Sequence, residues 1–211
     1  MKKPIALLFV LLLVSGSLWS QLSGTYTVGS GGNYATIAAA IDALNTSGVV
    51  APGVTFNVLA GHTESATTTL TITATGTSTA PIVFQKSGTG ANPLITRMDA
   101  GTISTSSLSA DGDAIIKLSG TDYITFNGID LTANNQGIEY GYYTFKPSGT
   151  DGCQYVTIKN STVTMTKGTS AYVIGIYISN GPTSPSAVTG VTVTSTSGIN
   201  SNIVISGNTI T

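Results

Sequence analysis

Between Tyr123 and Thr132 the chain reads YITFNGIDLT, with apolar and polar side chains alternating up to a glycine and alternating again beyond it. A period of two predicts short strands with one buried face. The pattern returns as YVTIKNSTVT over 155–164 and as NIVISGNTIT over 202–211. The copies begin 32 and 47 residues apart, too uneven for identical repeats but natural for stacked units joined by loops of variable length. Stacking them aligns Ile124 with Val156 and Ile203, Phe126 with Ile158 and Ile205, and Leu131 with Val163 and Ile210. A fully buried apolar side chain stabilises by about 1.5–3 kcal/mol, and each unit gains this only if a neighbour covers it. Asn127-Gly128, Lys159-Asn160 and Ser206-Gly207 fall between the paired strands, where Gly or Asn lets the backbone turn with positive φ.

The same alternation, ending each time in Gly, marks strands in VTFNVLAG (54–61), TLTITATG (69–76), PIVFQKSG (81–88) and AIIKLSG (114–120). One segment breaks the rule. Ile37, Ala40, Ile41 and Leu44 carry the spacing of a helix with one apolar face; Thr36 caps its start and Asn45-Thr46-Ser47-Gly48 stops it. Two long excursions, 144–152 and 180–187, leave the strand pattern, and in a stack of units such insertions often build the binding face.

The first residues, MKKPIALLFVLLLVSGSLWSQ, have the basic start, short apolar run and small-residue end of a secretory signal peptide, with cleavage expected after Ser20. The run is too short for a bilayer-spanning helix, which needs about 20 apolar residues, so no membrane attachment is expected after cleavage. Removing Lys2 and Lys3 leaves six basic against nine acidic side chains, and no basic patch for nucleic acid. Only 8% of the chain is charged, and the Thr, Ser, Gly and Asn that replace charge suit a protein made mostly of strands. Cys153 is the sole cysteine, which excludes an intramolecular disulfide and makes a buried apolar filler its expected role.

YTVGSGGNYATIAAAIDAL, followed by VTFNVLAGHTESATTTLTI, resembles the opening of the pectin methylesterase and pectin-lyase-like families: a strand, a turn with Gly31, Asn33, Tyr34, Thr36 and Ile37, a capping helix, and a first coil with a step from Gly61 to Glu64. The resemblance implies an all-β fold, a right-handed parallel β-helix (solenoid) with one short N-terminal capping helix. Its divisions would be a signal peptide over 1–20, the first strand and capping helix over 21–53, and β-helix coils over 54–211. The catalytic signatures of those families are missing: there is no Gln-Asp pair, Asp-Phe-x-x-Gly strand or Gly-Arg-Pro-Trp turn, no Asn-Thr-Asp, and Arg97 is the sole arginine.

Candidate site residues are few. Tyr140, Tyr142, Tyr143 and Phe145 precede the first excursion, and sugar rings stack on exposed aromatics; rings packed as core would show the same pattern. Asp111 and Asp113, with Gly112 between, can offer oxygens to Ca2+, and equally make an ordinary turn. Arg97 and Lys117 could form a basic pair, His62 is expected on the surface, Asp130 faces Thr162 and Thr209 in its column so that no acidic pair forms there, and Asp122, ahead of the coil, is expected to cap a turn. The run TTTLTITATGTST is Thr-rich, but it does not recur in the aligned copies as an ice-binding rank would.

The expected function is therefore a non-catalytic module of a secreted bacterial surface protein, one that binds a polysaccharide or cell-surface glycan or serves as an adhesive stalk. The second expectation is the N-terminal portion of a polysaccharide lyase or carbohydrate esterase acting on polyuronides, with its catalytic coils beyond residue 211. Thr211 closes the third aligned copy with no capping element after it, so a longer protein is expected.

Overall fold

The alternating segments assemble into three parallel sheets, seen in a computed structural model that describes residues 20–103, 113–169, 172–180 and 191–211. Sheet A holds, in spatial order, β1 (Leu22–Val28), β2 (Val49–Leu59), β5 (Ile82–Ser87), β8 (Ile124–Asn127), β11 (Val156–Lys159) and β14 (Val204–Ser206). Sheet B holds β3 (Thr63–Ala66), β6 (Leu94–Arg97), β9 (Asp130–Ala133), β12 (Thr162–Thr164) and β15 (Thr209–Ile210). Sheet C holds β4 (Leu70–Ile72), β7 (Ala114–Ser119), β10 (Tyr140–Phe145) and β13 (Ile174–Ile178). Parallel neighbours cannot be joined by a tight hairpin and need a long crossover. Here the crossover is made of the other two sheets, because from β2 onward the chain visits A, B and C in turn before returning to A. The arrangement is compatible with a parallel β-helix.

Two of the three apolar alignments read from the sequence are observed registers in full, Phe126 with Ile158 and Ile205 and Leu131 with Val163 and Ile210, and of the third Val156 pairs with Ile124. The structure extends the first of these backwards through β5, β2 and β1. Tyr26, Phe56, Phe84, Phe126, Ile158 and Ile205 form one continuous inward column. Its rings stack, Phe56 on Phe84 with centroids 4.5 Å apart and Phe84 on Phe126 at 5.4 Å. Coverage by a neighbour decides burial, since Ile158 and Val163 are fully buried whereas Ile205 and Ile210 in the last described rung are 44% and 54% exposed. The expected corner residues turn as anticipated: Gly128, Asn160 and Gly207 have φ of 69°, 57° and 62°.

The helix α1 (Ile37–Ser47) buries Ile37, Ala40, Ile41 and Leu44, and the Thr36 side chain accepts from the Ala39 N–H. Gly48, at φ 67°, ends it by donating its N–H to the Leu44 carbonyl. A second cap comes from another strand. The Glu64 carboxylate in β3 accepts from the N–H groups of Ile37 (2.5 Å) and Ala38 (3.1 Å), two donors that the helix itself leaves unpaired, and it sits at the positive end of the helix dipole. At the other end Asn45 clamps the helix to the strand β4 and its extension, donating to the Thr71 carbonyl and accepting from the N–H groups of Thr73 and Ala74. Glu64→Ala is expected to cost about 2–3 kcal/mol, because it removes two part-buried hydrogen bonds to a charged acceptor and leaves their donors without it. Urea denaturation of the variant beside the parent measures this.

Candidate functional site

The acidic and basic side chains that could carry chemistry are mostly committed to holding the fold. Besides capping α1, Glu64 meets His62 Nε2 at 3.0 Å, and the His62 side chain is 10% exposed, so the expected surface histidine is instead tucked beside the helix start. Asp130 Oδ1 accepts from Asn92 Nδ2 (2.8 Å) and from the Thr162 N–H (2.7 Å), locking the corner between sheets A and B.

Arg97 is buried at the end of β6, with Ala66 and Ala133 as its partners on either side leaving room for the guanidinium. Its Nε and Nη2 grip Asp99 at 2.5 and 2.8 Å, Nη2 also reaches Asp113 at 3.3 Å, and Nη1 donates to Thr69 Oγ1 and to the Ala114 carbonyl. This ties sheet B to sheet C, and the guanidinium holds the Asp99 carboxyl below its ordinary range. The other oxygen of Asp113 accepts from the Thr102 N–H at 2.5 Å. Its sequence partner in the expected Ca2+ pair, Asp111, lies outside the described residues, and among those described no three His, Cys, Asp or Glu side chains converge as metal ligands. The Lys117 ammonium, the other half of the expected basic pair, lies 4.0 Å from the Phe145 ring centroid.

Asp122 lies where the chain re-enters sheet A and accepts from the Gln154 N–H at 2.7 Å. Burial pushes its carboxyl above the ordinary range, and the neighbouring Asp151, itself raised by burial, adds repulsion. A carboxyl raised by folding destabilises the native state at neutral pH, and that penalty disappears as pH falls through the raised value. Asp122→Asn keeps an acceptor for Gln154 and removes the charge. It is expected to raise the melting temperature at neutral pH, with the gain shrinking on acidification; thermal melts across a pH series check the sign.

The aromatic cluster falls differently from the expected sugar platform. Tyr142 points into the main core, 5.2 Å from Phe126, and donates its hydroxyl to the Ile129 carbonyl. Tyr140 and Tyr143 join Phe145, Ile174 and Tyr177 in a separate cluster on the other face of sheet C. Tyr140, Tyr142 and Tyr143 are all fully buried, leaving Phe145 as the partly exposed member of the four. In this structure the three tyrosines pack and present no free ring face, because stacking with Tyr177 and burial have already used those faces. Cys153 is likewise buried, its thiol donating towards the Leu118 and Phe145 carbonyls, and burial pushes it up to about 11. It is a packed thiol, not a nucleophile at neutral pH.

The outward face of sheet A is a continuous polar surface partly open to solvent. Alternation places two columns there, opposite the stacked rings. Thr25, Thr55, Val83, Thr125, Thr157 and Val204 form one; Thr27, Asn57, Gln85, Asn127, Lys159 and Ser206 form the other. None of the twelve is buried. The columns stand about 7 Å apart and run for about 24 Å at the usual strand spacing. Sequence reasoning found strands here but missed the columns, because β1, β2 and β5 were not aligned with the later copies. The Thr-rich run it singled out contributes β4, three residues long.

One more position completes that face. Val54, Ile82, Ile124 and Val156 share a register, so the residues just before them, Gly53, Pro81, Tyr123 and Tyr155, also align, followed by Asn202. Tyr123, Tyr155 and Asn202 have φ of 49°, 55° and 53°. Asn tolerates this left-handed conformation; a Tyr in it costs about 1–2 kcal/mol. The two tyrosine rings stack with centroids 4.3 Å apart and planes 13° from parallel, and Tyr155 is 44% exposed. Beyond the apolar area it buries, an aromatic pair returns about 0.5–1.5 kcal/mol, and that stacking term alone is less than the backbone cost of both residues. Comparison with protein-family models, with curated proteins and with solved structures finds no match to this chain.

Proposed function

We propose that the chain is a right-handed parallel β-helix module of a secreted bacterial surface protein, which binds glycan at the outward face of sheet A without transforming it. The reading rests on that face: nine of its twelve column residues carry a hydroxyl or an amide, none is buried, and Tyr123 stacked on the exposed Tyr155 stands beside them, with Lys159 as the one charged side chain in the two columns. Hydroxyls and amides that both donate and accept match the hydroxyl pattern of a polysaccharide. The return of the chain through sheets A, B and C in fixed order supports the β-helix. The structural engagement of Glu64, Arg97, Asp99, Asp113 and Asp130 supports a binding role over a catalytic one. Co-sedimentation with insoluble polysaccharides, run beside product-release assays on pectin and alginate, tests it. Retention on a glycan with no released product is the expected result; clear turnover would replace this reading with a lyase or esterase.

A further inference from the structure

From the backbone cost of Tyr123 and Tyr155 we infer that this pair is a stacking platform for a neutral, equatorially hydroxylated sugar chain, a proposal that rests on the glycan-binding reading above. Positive φ is met most cheaply by Gly, and at the aligned position, which in β2 falls inside the strand, the chain uses Gly53 with φ 102°. It uses Asn at the last described rung, Asn202. Of the three rungs between, one carries Pro81, which does not take positive φ, and the other two place large rings in the left-handed backbone, partly exposed, where the stacking term by itself is smaller than the strain. Strain of this kind concentrates where a surface has a task besides folding.

The geometry fits one kind of ligand. Tyr123 covers one face of the Tyr155 ring, and the other face looks towards the rung of Asn202, a smaller exposed side chain that leaves it open. The C–H face of a pyranose ring can lie on Tyr155 while Asn202 hydrogen-bonds its hydroxyls. From there the chain can follow Thr157, Thr125 and Asn127. A polyuronide would bring a carboxylate with every sugar and needs cations at successive rungs; the two columns supply Lys159. The ligand class is therefore neutral.

The test uses the full chain with cellohexaose, laminarihexaose and chitohexaose as neutral probes and oligogalacturonate as the charged one, read by titration calorimetry. The ringless variants are Tyr123→Gly, Tyr155→Gly and Tyr155→Asn. Gly and Asn suit the left-handed backbone, so melting temperatures are expected to stay near the parent's and a binding loss cannot be assigned to unfolding. The expected result is binding of a neutral hexasaccharide that weakens at least about tenfold in both Tyr155 variants. If the parent and all three variants bind equally, the tyrosine site is wrong and the glycan reading stands. Preferential, salt-sensitive binding of oligogalacturonate that survives the substitutions overturns the ligand class. A parent that binds none of the four overturns both.

Discussion

Phe84→Ala is expected to destabilise the protein by about 3–5 kcal/mol, the usual cost of emptying a fully buried aromatic site. Phe84 has no exposed surface and is held on both sides, by Phe56 at 4.5 Å and Phe126 at 5.4 Å, so the void opens where three successive rungs meet. Stacked units depend on nearest-neighbour interfaces for much of their stability. The loss at Phe84 therefore weakens two interfaces at once, and the unfolding transition should broaden as well as shift. Urea denaturation followed by far-ultraviolet circular dichroism shows both effects, a lower midpoint and a smaller apparent m. A midpoint unchanged from the parent would mean that the column is not the continuous core described here.

Arg97→Met is the second large effect, at about 3 kcal/mol. Met approximates the length of the stem but leaves Asp99 and Asp113 without the guanidinium that neutralises them, and removing one partner of a buried ion pair costs about 3–5 kcal/mol. The lower end applies because the Asp99 and Asp113 side chains keep 28% and 22% exposure. The pH dependence separates this from simple loss of packing. In the parent the Asp99 carboxyl is depressed by Arg97, so its contribution is present above the unfolded carboxyl value and is lost as pH falls through the lower folded one. The variant should lack that acid-side loss. The gap between parent and variant should therefore narrow on acidification, which thermal melts at neutral and acidic pH would reveal.

How much of this was legible in the sequence varies by sheet. Sheet A was the most readable, because its strands alternate cleanly and the corners leading from it to sheet B carry Gly or Asn at the positions that turn with positive φ. α1 was readable for the same reason, its four buried residues being the four that the spacing selects. In sheet B, TESA and LITR are four residues long, too short to show a period, and Arg97 at an inward position looks like a surface residue until Ala66 and Ala133 are placed on either side. Sheet C defeats the pattern at YGYY. Gly141 faces inward, where a Cβ would strike the Gly175 carbonyl and Val163, and Tyr142 next to it is also in the core. Two consecutive inward residues put Tyr140 and Tyr143 on the same outer side, which strict alternation cannot give. The tyrosine pair on sheet A was hidden for another reason. Its members open two of the aligned copies, but only the backbone angle shows what keeping a ring there costs.

The inward column keeps its register although the chain between successive members is far from constant: 28 residues from Phe56 to Phe84, 42 to Phe126, 32 to Ile158 and 47 to Ile205. Extra length is thus discharged between strands without disturbing the pairing. Loop closure explains the tolerance, since doubling a flexible loop adds only about 0.6 kcal/mol. The practical meaning is that of a display frame: foreign peptides spliced into a connection between strands would be carried at a fixed height along the stack, with that height set by the rung that bears them.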